Sequence, residues 1–226
     1  MILPNTKKYI IVNAGHYDDP DTPHFDDPGA VANQVREAVE VMKIRDRVVP
    51  LLKQTGFAIS SVPDDLDLRE SIAWANEKAP KLNDALAIDI HLNYLSNPSA
   101  RGTESFYGQT EISKKIAEAL ANNVSETLGV PNRGAKPDTQ TAVGSLGWIR
   151  KTTMWASLVE VCFLTNPEDM KILHSESGYD KAARGIANGI CEMFGVPKLP
   201  NLPSPEVGEK DREKIKLQII ELVNQL

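Results

Sequence analysis

Two histidines and a few glutamates, far apart in a chain of 226 residues, have the types and settings that metal-assisted hydrolysis needs. His16 follows the apolar run Tyr9-Ile10-Ile11-Val12, and His91 follows the run from Ala85 to Ile90. Glu37 and Glu40 open an amphipathic stretch, and Glu160 interrupts the apolar run Leu158-Val159-Glu160-Val161. Two imidazoles and a carboxylate make a zinc site with an open position, and a second carboxylate supplies a base. A zinc ligand must offer a neutral nitrogen about 2.0–2.1 Å from the metal in a fixed direction, which favours rigid strand ends and helices. His16 and His91 meet that condition, whereas His24, in Pro23-His24-Phe25, and His174, in Leu173-His174-Ser175, do not. Glu37 and Glu40 share one helix face, so spacing alone does not choose between them. Glu160 is costly in a buried strand unless a cation or metal compensates it. An ion pair with Arg150 or Lys151 is its structural alternative.

Rigid elements must bring these residues together. Tyr9–Val12, Phe57–Ile59, Ala85–Ile90, Ser105–Tyr107 and Ala156–Phe163 read as strands, being short, apolar and rich in β-branched or aromatic residues. Helical spacing runs over 35–55, where Gly56 stops it, and over 67–79, 112–128 and 180–194. Strands alternating with helices predict a three-layer α/β sandwich, with a mostly parallel or mixed central sheet flanked by helices. Ligands in such folds bind beyond the strand C-termini, where His16 and His91 would lie. The Asp- and Pro-rich stretch 17–29 and the Gly- and Thr-rich stretch 134–147 are expected as loops, the second near the site.

Composition narrows the classes. With 41% hydrophobic and 25% charged residues the chain can bury a full core. A formal charge of −6 and no basic stripe argue against nucleic acid as a partner. Cys162 and Cys191 have no metal-ligand spacing and sit in apolar runs, so packing explains them. No apolar stretch reaches the roughly 18 residues of a membrane span, and the N-terminus shows no signal-peptide pattern. The expected organisation is a catalytic domain over 1–196, a Pro-rich linker over 197–209, and a C-terminal amphipathic helix over 210–226. Ile215, Ile219, Leu222, Val223 and Leu226 give that helix one apolar face, for docking on the domain or pairing in a homodimer.

Several short motifs occur in order: Ala14-Gly15-His16, Asp27-Pro28-Gly29-Ala30, Glu37, Arg69 with Ala75-Asn76, Ile90-His91-Leu92-Asn93, Gly102-Thr103-Glu104, Arg133-Gly134-Ala135-Lys136, and Leu158 through Asn166. The set resembles the zinc-dependent N-acetylmuramoyl-L-alanine amidases of the amidase-3 type, found in bacterial autolysins and phage endolysins. The resemblance spans about Tyr9 to Val196. It implies His16, Glu37 and His91 as ligands of one zinc ion and Glu160 as the catalytic carboxylate, with Asn93 and Arg133 as contacts to the glycopeptide. Glu37 is preferred to Glu40 by its distance from Gly56. The chain departs from the usual pattern at Asn13 and Tyr17, where that family has Asp and Gly, at Asp89, where it has Ser, and at Cys162, where it has Gly.

The reaction so implied is hydrolysis of the amide between the lactyl group of N-acetylmuramic acid and L-Ala of the stem peptide in peptidoglycan. Zinc would polarise the scissile carbonyl and acidify a bound water to a pKa of roughly 7, and Glu160 would shuttle the proton. Asp89 or a backbone carbonyl is expected to fix an imidazole tautomer. The place of action would be the bacterial cell wall, reached through a phage-made pore or by secretion with a leader removed. Two rival readings are a non-catalytic peptidoglycan-binding module and another zinc hydrolase, such as a peptidase or sugar deacetylase.

Overall fold

The computed structural model describes residues 9–18, 26–78 and 85–200. Six strands form one sheet: β1 (Tyr9–Ala14), β2 (Ala58–Ser61), β3 (Ala85–Asn93), β4 (Thr103–Tyr107), β5 (Asn132–Pro137) and β6 (Trp155–Phe163). Their order across the sheet is β2-β1-β3-β6-β4-β5. The first four run parallel, β4 is antiparallel to β6, and β5 runs parallel to β4. The sheet is therefore mixed. Six helices accompany it: α1 (Glu37–Gln54), α2 (Leu68–Lys78), α3 (Glu111–Leu128), α4 (Gly147–Lys151), α5 (Pro167–Leu173) and α6 (Glu176–Phe194).

The central strands are apolar on both faces because both faces are covered. Ile10, Val12, Leu86, Ile88, Ile90, Val159 and Val161 point into the larger core, which also holds Val41 and Ile44 of α1, Leu120 and Val124 of α3, and Ile186 and Ile190 of α6. On the opposite face Ile11, Ala87 and Ala156 meet Ile72 and Ala75 of α2 and Trp148 of α4. Small residues on this second face let two short helices approach closely, in keeping with the interdigitation of packed interiors. The three-layer expectation holds.

Helix boundaries follow capping chemistry. The Ser175 side chain accepts from the Gly178 amide, so α6 starts four residues before the apolar periodicity that predicts Asp180. Before α1, Asn33 and Gln34 take positive φ angles of 50° and 65° in a tight hairpin joining Val31–Ala32 to Val35–Arg36. The helix therefore begins at Glu37 rather than at Val35, with the Glu37 amide donating to the Ala30 carbonyl.

Both expected loops contain strand residues: Tyr17–Asp18 pairs antiparallel with Asp26–Asp27 in the first, and β5 enters the second. Asn132–Pro137 pairs with β4 despite Gly134, whose φ of 79° accompanies a register shift between Thr103 and Ser105. An edge strand tolerates such a bulge and a terminal proline, which is why composition pointed to a loop. Residues 197–200 of the expected linker lie against the domain: the Leu199 amide donates to Asn188 Oδ1, and Arg184 donates to the Pro200 carbonyl. The rest of the linker, the C-terminal amphipathic helix and its pairing in a dimer lie outside the described residues, as does His24.

Helices α3 and α6 pack closely through glycine. A Cβ built on Gly185 would lie 2.6 Å from the Val124 Cα and 2.9 Å from the Asn123 carbonyl oxygen, both backbone atoms that cannot rotate away. Gly185→Val is expected to destabilise the domain by about 1–3 kcal/mol through overpacking, read as a lower urea midpoint.

Candidate metal centre

At the C-terminal ends of β1 and β3 three side chains meet. His16 Nε2, a Glu37 carboxylate oxygen and a His91 nitrogen belong to a group whose ligand atoms all lie within 4.8 Å of one another. Glu37 is the hub, since its Oε1 is 2.9 Å from His91 Nδ1 and its Oε2 is 3.2 Å from His16 Nε2. The backbone fixes this carboxylate: the Leu92 amide donates to Oε1 at 3.0 Å and the Ala30 amide to Oε2 at 2.9 Å. Each oxygen is thus anchored by one amide and keeps a lone pair for the site.

Local backbone geometry aims the imidazoles. His16 has a φ of 66°, an uncommon left-handed value for a non-glycine residue. Gly15, just before it, passes so close to His91 that a Cβ there would fall 2.2 Å from the ring. Gly29, with a φ of 65°, would place a Cβ 2.5 Å from the His16 ring and 2.7 Å from Glu37 Oε2. The Gly15 and Gly29 of the ordered motifs are there because no side chain fits. Each imidazole also uses its second nitrogen: His16 Nδ1 is 3.0 Å from Asp27 Oδ2, and His91 Nε2 is 3.2 Å from Asp89 Oδ2. A carboxylate behind each ring fixes its tautomer and leaves His16 Nε2 and His91 Nδ1 for a cation. Asp27, in the Asp27-Pro28-Gly29-Ala30 motif, had no role in the sequence reading.

Glu40 is elsewhere. Its Oε2 accepts from the Tyr179 hydroxyl and its Oε1 from Lys43 Nζ at 2.7 Å, so it ties α1 to α6. His174 lies 4.0 Å from Glu40 and half its side chain is exposed, apart from the cluster.

Glu160 faces His91 across β3 and Glu104 across β4 in the strand register. Its Oε2 is buried without a hydrogen-bond partner among the described residues, and a native buried polar group in that state needs a reason. The alternative partner Arg150 is committed to Asp138 instead. Burial, reinforced by the Glu37 and Glu104 charges, pushes the Glu160 carboxyl up to about 8. A dication nearby would favour the ionised form, as expected of a base.

Asn93 and Arg133 are brought beside this carboxylate, but around Glu104. Asn93 Nδ2 donates to Glu104 Oε1 at 2.7 Å, and Arg133 Nε and Lys136 Nζ donate to Oε2 at 2.6 and 2.5 Å. Arg133 also lies over the Phe163 ring, 4.9 Å from its centroid. The sequence reading missed Glu104 as the centre of this group, although Gly102-Thr103-Glu104 was among the ordered motifs. A cavity of about 410 Å³ adjoins the His16–Glu37–His91 cluster, lined by Asn13, His16, Asp89 and His91 on one side and by Leu68, Trp148 and Leu158 on another.

The donor set fits a divalent metal. Burial opposes charge on Glu37, yet hydrogen bonds from His16 and His91 outweigh it and hold the carboxyl well below the usual range. Burial likewise disfavours charge on the rings, but Glu37 raises the pKa of His16, and Asp89 and Glu37 raise that of His91 well above the ordinary imidazole value. Protons therefore hold this cluster together where a cation would. Between the ordinary carboxyl value of 4.5 and the raised value of about 8 at Glu160, the folded chain binds more protons than the unfolded one, and the raised histidines extend the same imbalance. Stability of chelator-treated protein is then expected to fall as pH rises from about 5.5 to about 8, because the unfolded state releases protons first. The depressed Glu37 contributes below that window and does not reverse the slope. Urea titrations across this range check the sign, and Glu160→Gln is expected to make the slope shallower.

Comparison with known proteins matches residues 10–192 to a family described as N-acetylmuramoyl-L-alanine amidase. The endolysin of Bacillus phage SPP1 is 26% identical over 222 residues, which cover 94% of this chain and 76% of that protein. An uncharacterised protein of Clostridium perfringens is 30% identical over 187 residues, or 81% of this chain, which spans only 51% of that relative's length. Among solved structures, the catalytic domain of CwlV, an N-acetylmuramoyl-L-alanine amidase from Paenibacillus polymyxa, superposes with a TM-score of 0.70 at 28% identity, covering 84% of this chain and 99% of that domain. With its fold, its glycine-framed cluster and its matched length taken together, the chain belongs to the N-acetylmuramoyl-L-alanine amidase family.

Proposed function

We propose that this chain is a zinc-dependent peptidoglycan hydrolase that cleaves the amide between N-acetylmuramic acid and L-Ala of the stem peptide, acting on the bacterial cell wall. One observation carries the reading: His16, Glu37 and His91 converge beside the Glu160 carboxylate, whose Oε2 has no hydrogen-bond partner among the described residues, in a chain of this family. Two imidazole nitrogens and one carboxylate oxygen are a catalytic rather than a closed structural zinc set, since a fourth position is left for water or substrate.

Zinc bound there would supply Lewis acidity toward the scissile carbonyl and toward a water. The protein does the rest. His16 and His91 keep their outer nitrogens on Asp27 and Asp89, so their inner lone pairs stay aimed. Glu160 takes a proton from the attacking water and returns it to the departing L-Ala nitrogen, breaking the C–N bond with a neutral amine as leaving group. Its apolar strand keeps bulk water from competing for that proton.

Asn93 and Arg133 serve this reading as substrate contacts. Glu104 holds Arg133 through Nε alone, and among the described residues its two Nη atoms have no hydrogen-bond partner. A fixed guanidinium with a free fork suits a carbonyl or carboxylate of the stem peptide.

The test is digestion of purified peptidoglycan with product identification. The proposal expects new N-terminal L-Ala and unchanged glycan chain length, with activity abolished by chelator and restored by about one zinc per chain. Glu160→Gln is expected to retain zinc and lose roughly 10²–10⁴-fold in turnover. Wall binding without L-Ala release, or peptide or acetyl products instead, would contradict it. Arg133→Gln is expected to raise KM by about tenfold with a smaller effect on kcat, measured on soluble muropeptides.

A further inference from the structure

The unusual pair at positions 13 and 89 forms one buried unit directed at His91. Asn13 and Asp89 face each other in the parallel register of β1 and β3. Asn13 Nδ2 donates to Asp89 Oδ1 at 2.8 Å, while Asp89 Oδ2 lies 3.2 Å from His91 Nε2. Both side chains are buried, at 6% and 2% exposure.

We infer that Asn13 is a positioning residue for the metal site, acting through Asp89 to hold His91 in the tautomer that presents Nδ1. The physical case is a matter of valence. Asp89 is acceptor-only when ionised, so its two oxygens can be satisfied by one donor from Asn13 and one from His91. With Oδ1 occupied, Asp89 cannot turn both oxygens on the ring, and its Oδ2 has one target. With a cation bound, the ring keeps its proton on Nε2 toward Asp89 and offers the Nδ1 lone pair; without one, Nδ1 donates to Glu37 Oε1, 2.9 Å away. A carboxylate at position 13 would set an acceptor against an acceptor where Asn13 Nδ2 now donates to Asp89 Oδ1, and the hold on His91 would weaken. The pair is complementary: the amide at 13 supplies the donor that the carboxylate at 89 accepts.

This inference rests on the proposed zinc site, and its test separates the two. Zinc affinity of the full chain is measured by competition with a chromogenic chelator for the parent, Asn13→Ala, Asp89→Ala and the double variant, with thermal unfolding of each chelator-treated protein as a check of folding. Asp89→Ala is expected to weaken zinc binding about 10- to 100-fold and Asn13→Ala about 5-fold, with Asn13 acting through its hydrogen bond to Asp89. In the Asp89→Ala background, removal of Asn13 is expected to have no further effect, the signature of action through a shared partner. Asp89→Asn, which keeps the shape, is expected to lose about tenfold and keeps the test valid should the alanine variant fail to fold. Unchanged affinity in Asn13→Ala, or equal losses from it in both backgrounds, would overturn the positioning role while leaving the zinc site intact. A parent that binds no zinc would overturn both.

Discussion

The structure depends on one carboxylate held in place by the backbone. Glu37 receives the Ala30 amide on one oxygen and the Leu92 amide on the other, which joins the hairpin before α1 to the third strand through a single side chain. Because each oxygen also faces an imidazole nitrogen, the same contact assembles the cluster. Burying a carboxylate this deeply is unfavourable unless it is paired on every side. The pairing makes the site stiff, and stiffness is what a metal centre asks of its ligands.

Everything near Glu37 is arranged to permit that contact. Glycines at 15 and 29 remove side chains that would collide with the rings, and the left-handed backbone at His16 turns its imidazole toward the carboxylate. Asp27 and Asp89 then close the outer faces of the two rings. The apolar packing of the sheet on both faces gives these loops a rigid base. Glu160, one strand over, lies in a buried strand, its Oε2 has no hydrogen-bond partner among the described residues, and Glu104 opposite it engages Arg133 and Lys136. An available carboxylate beside a rigid cluster is the combination that the hydrolytic reading uses.

Much of this was legible in the chain. Apolar runs ending in His16 and His91, and a lone glutamate within Leu158 to Val161, announce residues placed at a sheet edge against the grain of their surroundings. Spacing could not separate Glu37 from Glu40, because the deciding contact is between Glu40 and Tyr179, 139 positions away. The Glu104 group was hidden for a similar reason: its members come from three strands, and one of these, Asn132–Pro137, has the composition of a loop. Asn13 and Asp89 looked like isolated oddities until the strand register put them opposite each other. Local pattern reports which residues are out of place, and only the register reports which of them are neighbours.

The central claim is that three specific atoms hold a metal, and the direct measurement is anomalous diffraction at the zinc edge from crystals of the zinc-loaded chain. The account predicts one strong peak about 2.0–2.2 Å from His16 Nε2, His91 Nδ1 and a Glu37 oxygen, with Glu160 nearby but unbound. A peak on other residues, or zinc bound by Glu160 in place of Glu37, would contradict it.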